Sequence, residues 1–216
     1  MLTVAEIITH LIGESPLLEE GIADGIINLS ALARKFQPRI EEKLKKKVSE
    51  SAILMALKRL SPSLTDKIHN YKKHIKLVGD ITVRSDLSEF TFVKSQTLLE
   101  KQKKLLNGLK GETNYFLTFT QGVFESTAII NSKYAPMVAK IFEGEKAVSQ
   151  LSDLAAITII LSPHIVELPG VHYTILKQLA WYGINVVELV STLTEFTIIL
   201  KKSDVDLSFS ILMKFL

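Results

Sequence analysis

The residues of this chain best suited to hold a ligand lie near its C-terminal end. Pro169-Gly170 precedes Val171 to Tyr182, whose apolar residues recur at helical spacing. A helix starting there leaves the N–H groups of Gly170, Val171 and His172 without intrahelical acceptors, and such a start can receive a carboxylate. Glycine admits a ligand close to the backbone. The same residues also suit a plain strand-to-helix turn, with Gly183 as the helix C-cap. The residues alone leave both readings open.

A second group is electrostatic. Residues 1–27 carry five acids and no base, whereas residues 28–76 carry 13 Lys+Arg against four acids. The remainder of the chain is close to neutral, with 13 bases and 14 acids. A basic block of this kind attracts a polyanion, because neutralised phosphates release condensed counterions. It is equally the composition of a solvated helix end. Lys43, Lys45 and Lys46, and further along Lys72, Lys73 and Lys76, are the residues expected to approach phosphates.

Other chemistries are excluded. With no cysteine there is no disulfide framework, thiol nucleophile or thiolate metal site. His10, His69, His74, His164 and His172 never fall at metal-ligand spacing, so neither metal nor cofactor is expected. No Gly-x-x-x-x-Gly-Lys run or Gly-Gly pair is present for phosphate binding. No apolar run reaches membrane-spanning length, and no basic flank precedes an N-terminal apolar stretch, so a cytoplasmic protein is expected.

Two kinds of scaffold must position these groups. Up to residue ~75 the pattern is helical: a Thr3/Glu6 capping box, a short helix opened by Pro16, and a helix capped by Ser30 that ends at Gln37-Pro38. A basic helix follows from Pro38 to Lys47. Ser49 then caps a helix with Ile53, Ala56, Leu57 and Leu60 on one face, stopped by Ser61-Pro62. Thereafter Ile81/Val83 and Phe90/Phe92 alternate on either side of Ser85-Asp86, the pattern of a hairpin. Helix 97–109, strands 115–120 and 126–131, helix 135–142 and strand 155–161 come next. Helix 171–182, strands 186–191 and 196–200, and a terminal helix from Asp204 complete the chain. Thr127-Ala-Ile-Ile matches Thr197-Ile-Ile-Leu 70 residues on, so this half reads as two β-α-β-β-α units of ferredoxin-like order.

The second unit, through Leu168-Pro169-Gly170-Val171, Ile175, Leu176, Leu179 and Gly183-Ile184-Asn185-Val186, resembles an ACT domain. It is most similar to the tandem ACT regulatory region of aspartate kinases, and Phe209 to Leu216 looks like that region's closing helix. The resemblance implies amino-acid binding at Pro169, Gly170, Val171, His172, Tyr173 and Asn185. His172 and Tyr173 are bulkier than the family pattern at that place. The catalytic domain of those kinases has no counterpart here, so a non-catalytic protein is expected.

Residues 28–93, in the order helix, helix, capped helix, hairpin, also resemble a winged helix joined to ACT modules. Residues 50–60 would then be the recognition helix, presenting Ser51, Met55, Lys58 and Arg59, and residues 75–92 the wing. Arg59 alone carries the bidentate fork that reads guanine. The expectation is an α+β protein with a helical, winged-helix-like domain at 1–80 and ferredoxin-like βαββαβ ACT-type modules at 81–150 and 151–216. Its expected function is amino-acid sensing as a homodimer, coupled to double-stranded DNA. The alternatives are a regulatory subunit or interaction module acting on a separate enzyme, and a purely structural dimer.

Overall fold

The computed structural model describes residues 2–75, 78–165 and 168–215, and the side-chain surroundings of these apart from 69–75 and 78. The chain divides between Ile75 and Lys76 into two compact units.

The first unit is four helices: α1 (Val4–Gly13), α2 (Pro16–Ala23), α3 (Leu29–Leu44) and α4 (Glu50–Ile75). The expected capping box closes the start of α1, with Glu6 N–H donating to the Thr3 hydroxyl and Thr3 N–H to the Glu6 carboxylate. The cap of α3 is Asn28 rather than Ser30; its side-chain oxygen accepts from the N–H groups of Ser30 and Ala31. Neither expected proline break occurs, because Pro38 lies inside α3 and Pro62 inside α4. An interior proline costs a helix ~3 kcal/mol. Here Phe36 and Ile40 bracket Pro38, and Leu57 and Leu64 bracket Pro62, all buried in one core with Ile8, Ile12 and Ile53. Burying each such side chain contributes about 1.5–3 kcal/mol, so keeping the helices continuous outweighs the lost hydrogen bonds.

The second unit comprises β1 (Val78–Val93), α5 (Leu98–Gly108), β2 (Leu117–Gln121), β3 (Glu125–Asn131), α6 (Ala135–Ile141), β4 (Ala147–Leu161), α7 (Val171–Trp181), β5 (Val186–Ser191), β6 (Glu195–Lys201) and α8 (Val205–Phe215). The strands make one six-stranded antiparallel sheet in the order β2-β3-β1-β4-β6-β5. The expected hairpin at Ser85-Asp86, and with it a wing, does not form. Residues 78–93 are a single strand, because Ser85-Asp86 is a bulge rather than a reversal. Asp86 takes the left-handed backbone (φ 58°) at a register shift, and the strand runs on.

This bulge lets the two modules exchange strands. Leu87–Val93 of β1 pairs with β3 in the first module, while the earlier part of β1, Val78 to Arg84, pairs along β4 in the second. Conversely, Leu154–Ile160 of β4 pairs with β6, while Ala147 to Leu151 pairs back onto β1. A module boundary at 150/151 therefore falls inside β4. Phe90, Phe92 and Ile130 pack under α5 and α6, and Ile157, Ile159, Phe196 and Ile198 under α7 and α8. The opposite, helix-free face buries Leu87, Ile129, Leu154, Ala156 and Ile199 with Phe116, Val187 and Val190, and the sheet curls.

Candidate functional site

The Pro169-Gly170 turn lies where the second module passes from β4 to α7. Gly170 is the N-cap of α7 in the left-handed region (φ 89°), and among the described residues no side chain caps the helix. Among the described residues no side chain accepts from the first-turn N–H groups of Val171 and His172. Thr174 turns inward, its N–H and hydroxyl both donating to the Gly170 carbonyl at 2.9 and 2.7 Å. Val171 is buried, whereas Pro169, Gly170, His172 and Tyr173 are exposed. The His172 ring packs edge-on against Phe196 (4.5 Å between centroids), and Lys177 lies 5.9 Å from the centre of the Tyr173 ring. Both bulky side chains thus lean along the module surface.

Asn185 is not beside this turn. It follows the other end of α7, exposed, just after Gly183. Gly183 (φ 71°) closes the helix, with Ile184 N–H donating to the Leu179 carbonyl. Eleven helical residues separate the two ends by ~16 Å. Within one chain a small ligand at Gly170 does not reach Asn185. Trp181 and Tyr182, at the same end of α7 as Asn185, are 67% and 62% exposed.

Beside the corresponding helix start in the first module the chain places an acid of its own. The Glu145 carboxylate accepts from the hydroxyls of Thr97 (2.6 Å) and Ser95 (2.7 Å), and Lys101 lies 3.1 Å away. The Thr97 and Ser95 hydrogen bonds, followed by Lys101, hold its carboxyl below the usual carboxylate range. Only 4% of this side chain is exposed. Sequence reading missed Glu145, since nothing local ties it to a loop some 50 residues earlier.

The basic block is partly neutralised by folding. Arg39 pairs with Glu14 (3.0 Å), Lys67 with Glu19 (2.7 Å), Arg34 with Glu50 (2.9 Å) and Lys47 with Glu41 (3.3 Å). Two of these acids come from the acidic first 27 residues. The α3–α4 turn is fixed by Glu41, which accepts from Val48 N–H, and by Gln37, which donates to the Val48 carbonyl. Val48 N–H holds the Glu41 carboxyl below its ordinary value, with help from Lys47. Ser51, Met55, Lys58 and Arg59 are all exposed on α4, and Lys43, Lys45 and Lys46 at the end of α3. Among the described residues no acid forms an ion pair with Lys45, Lys46, Lys58 or Arg59. Lys76, and the side chains of Lys72 and Lys73, lie outside the described residues. Neither a cluster of three or more metal-capable side chains nor a helix long and apolar enough to cross a membrane occurs among the described residues.

No family model matches the chain, and no curated protein matches it. Solved structures do. The regulatory subunit of aspartate kinase from Thermus thermophilus, in its ligand-free form, aligns with 64% of this chain and 97% of its own length, at a TM-score of 0.54 and 13% identity. The C-terminal unit has the fold of an aspartate kinase regulatory region. The corresponding subunit from Thermus flavus gives a TM-score of 0.52 at 10% identity, covering 64% of this chain and 98% of that one. The whole aspartate kinase of Clostridium acetobutylicum gives 0.53 at 11% identity; 64% of this chain matches 34% of the enzyme. The likeness to aspartate kinase regulatory regions lies in the C-terminal part and does not extend a helix-turn-helix reading to the first unit. At these identities it speaks for the fold, and the side chains at the turn must be argued on their own chemistry.

Proposed function

We propose that this chain is a non-catalytic regulatory protein that binds an amino acid, or a similar small carboxylate, at the start of α7. What supports this reading is the uncapped N-terminus of α7 behind a left-handed Gly170. A carboxylate there accepts from backbone N–H groups and lies at the positive end of the helix dipole. The likeness to regulatory subunits along nearly their whole length supports a role without a catalytic domain. Because Asn185 stands at the far end of α7, its part in the same ligand requires a second copy of the chain, so the active form is a homodimer. A thermal-shift screen of the twenty amino acids, paired with sedimentation of the free and liganded protein, tests this. A ligand that binds only the folded state raises the unfolding midpoint. If no amino acid raises it, the reading is wrong.

The partner that receives the signal is duplex DNA or a separate enzyme. The exposed Lys45, Lys46, Lys58 and Arg59, without acidic partners, favour a polyanion on the first unit. The pairing of Arg34, Arg39, Lys47 and Lys67 within the fold narrows the surface available for it. Fluorescence anisotropy with duplex DNA at ~50 and ~200 mM salt separates the two partners, since phosphate contacts weaken steeply over that range. No binding at the lower salt leaves the enzyme partner. If DNA binds, Lys45→Glu with Lys46→Glu weakens all sequences alike, and Arg59→Ala relaxes sequence preference.

A further inference from the structure

The bulges of the two long central strands differ in how their aspartates are served. At the first, Lys202 Nζ lies 2.6 Å from Asp86. At the second, Asp153 forms no ion pair or side-chain hydrogen bond among the described residues, and neither does Lys201. The Asp86 hydrogen bond, and last of all the charge of Asp153, raise the Lys202 ammonium, so Lys202 is committed to Asp86. Asp153 and Lys201 are neighbours by register: Lys201 in β6 pairs with Leu154, which directly follows Asp153. Both are exposed, and both line one cavity of about 330 Å³, near the lower limit for small-molecule sites. The rest of its wall is of two kinds. Ser152 and Ser203 supply hydroxyls, while Leu151, Leu154 and Val187 supply apolar surface. Leu154 is 2% exposed and belongs with Val187 to the cluster on the helix-free face, which gives the cavity a fixed apolar side.

We propose that this cavity is a second ligand site that takes a small zwitterion with a short apolar chain: its ammonium on Asp153, its carboxylate on Lys201, and its chain against Leu151 and Val187. A lone anion would meet the Asp153 charge, and a lone cation that of Lys201. Either one leaves a protein charge unmatched and adds a like-charge repulsion. A zwitterion matches both at once. The hydroxyls of Ser152 and Ser203 serve either end, since each both donates and accepts. Exposed ion pairs are weak one by one, so binding needs the two pairs together with the apolar contact, and the expected dissociation constant is roughly millimolar. The site lies on the face opposite α7 and asks nothing of Gly170. It therefore goes beyond the carboxylate reading there and can fail independently of it.

The test is a titration of the isotope-labelled full chain at neutral pH, followed by backbone amide chemical shifts, which report each place in the molecule separately. The probes are L-norvaline, pentanoate (the same chain without the ammonium) and n-butylammonium (the same chain without the carboxylate). Asp153→Asn removes the charge and keeps a residue that tolerates the left-handed backbone. Lys201→Met keeps an exposed flexible side chain without the ammonium. Amide shifts away from the cavity check the fold of each variant. Saturable norvaline shifts at Ser152, Asp153, Val187 and Ser203, with either fragment about threefold or more weaker, support the proposal. So does norvaline affinity lowered about threefold by each substitution and about tenfold by both together. The proposal is overturned by the absence of saturable shifts at these amides up to ~50 mM norvaline, by equal affinity for pentanoate or butylammonium, or by unchanged affinity in the double variant. Shifts confined to Val171, His172 and Tyr173 would overturn it and leave the Gly170 reading standing. Shifts confined to the cavity would support it and count against that reading.

Discussion

Asp86 and Asp153 hold the same left-handed backbone, φ 58° and 54°, at matching points of the two long central strands. Each is the middle of a Ser-Asp-Leu triplet, Ser85-Asp86-Leu87 and Ser152-Asp153-Leu154, and the two leucines are register partners in the centre of the sheet. At each triplet the register shifts and the strand passes from its own module into the other. Asp86 is further held by Lys202, whose Nζ donates to it at 2.6 Å, and this contact keeps its carboxyl low.

A non-glycine residue in the left-handed region costs ~1–2 kcal/mol, least for Asp and Asn. Asp153→Gly is therefore expected to leave stability unchanged or slightly raised, and Asp153→Val to lower it by about 1–3 kcal/mol. Urea denaturation of the two variants distinguishes these outcomes. Equal stability would show that the bulge does not depend on this backbone.

Glu145 is tied to the turn before α5 through the Ser95 and Thr97 hydroxyls. Its carboxyl is held below the ordinary value of 4.5, so its stabilisation is complete above that pH and is lost as pH falls through its lower folded value. Glu145→Gln should cost about 1–2 kcal/mol at neutral pH. The gap to the parent should close in acid. Thermal midpoints across pH 3 to 7, roughly the range over which carboxylates titrate, check the sign.

Glu89 has the opposite sign. Its carboxyl is raised above 4.5 by burial and by Glu188, so its contribution is fully present below that value and is lost as pH rises through the folded pKa. The parent should weaken with rising pH in the range where Glu89→Gln stays level, leaving the variant more stable at neutral pH. A variant no more stable than the parent at pH ~7 would mean that Glu89 already has a counter-charge.

At the α7 turn the two candidate residues should separate cleanly. Gly170→Val places a β-branched residue at φ 89°, so it should lower the stability of the free protein by ~1–3 kcal/mol as well as remove the ligand-induced midpoint shift. Asn185→Ala, at an exposed position, should leave free stability within ~0.5 kcal/mol yet weaken ligand binding by about 0.5–1.5 kcal/mol. Unchanged affinity in the Asn185 variant would place the second half of the site elsewhere.

From its sequence alone the chain revealed the element order of the second unit after β1, and the helix start behind Gly170. These are local facts: period-two and period-3.6 apolar spacing, Pro-Gly before a helix and glycine after it. The buried stripe Ile53, Ala56 and Leu57 was legible in the same way. What the sequence could not weigh was packing against such stripes, so Pro38 and Pro62 read as breaks although buried neighbours on both sides keep α3 and α4 continuous. Ser85-Asp86 read as a turn because a reversal and a bulge use the same residues, and only the pairing of β1 with both β3 and β4 separates them. Only the folded chain shows that Asn185 and Gly170 stand at opposite ends of α7, that Glu145 bonds the Ser95 and Thr97 hydroxyls before α5, and that Glu14 and Glu19 neutralise part of the basic block. It alone put Glu89 in a buried place, since an alternating strand exposes one face to water unless the sheet curls over it. Contacts across dozens of residues leave no local trace in the chain.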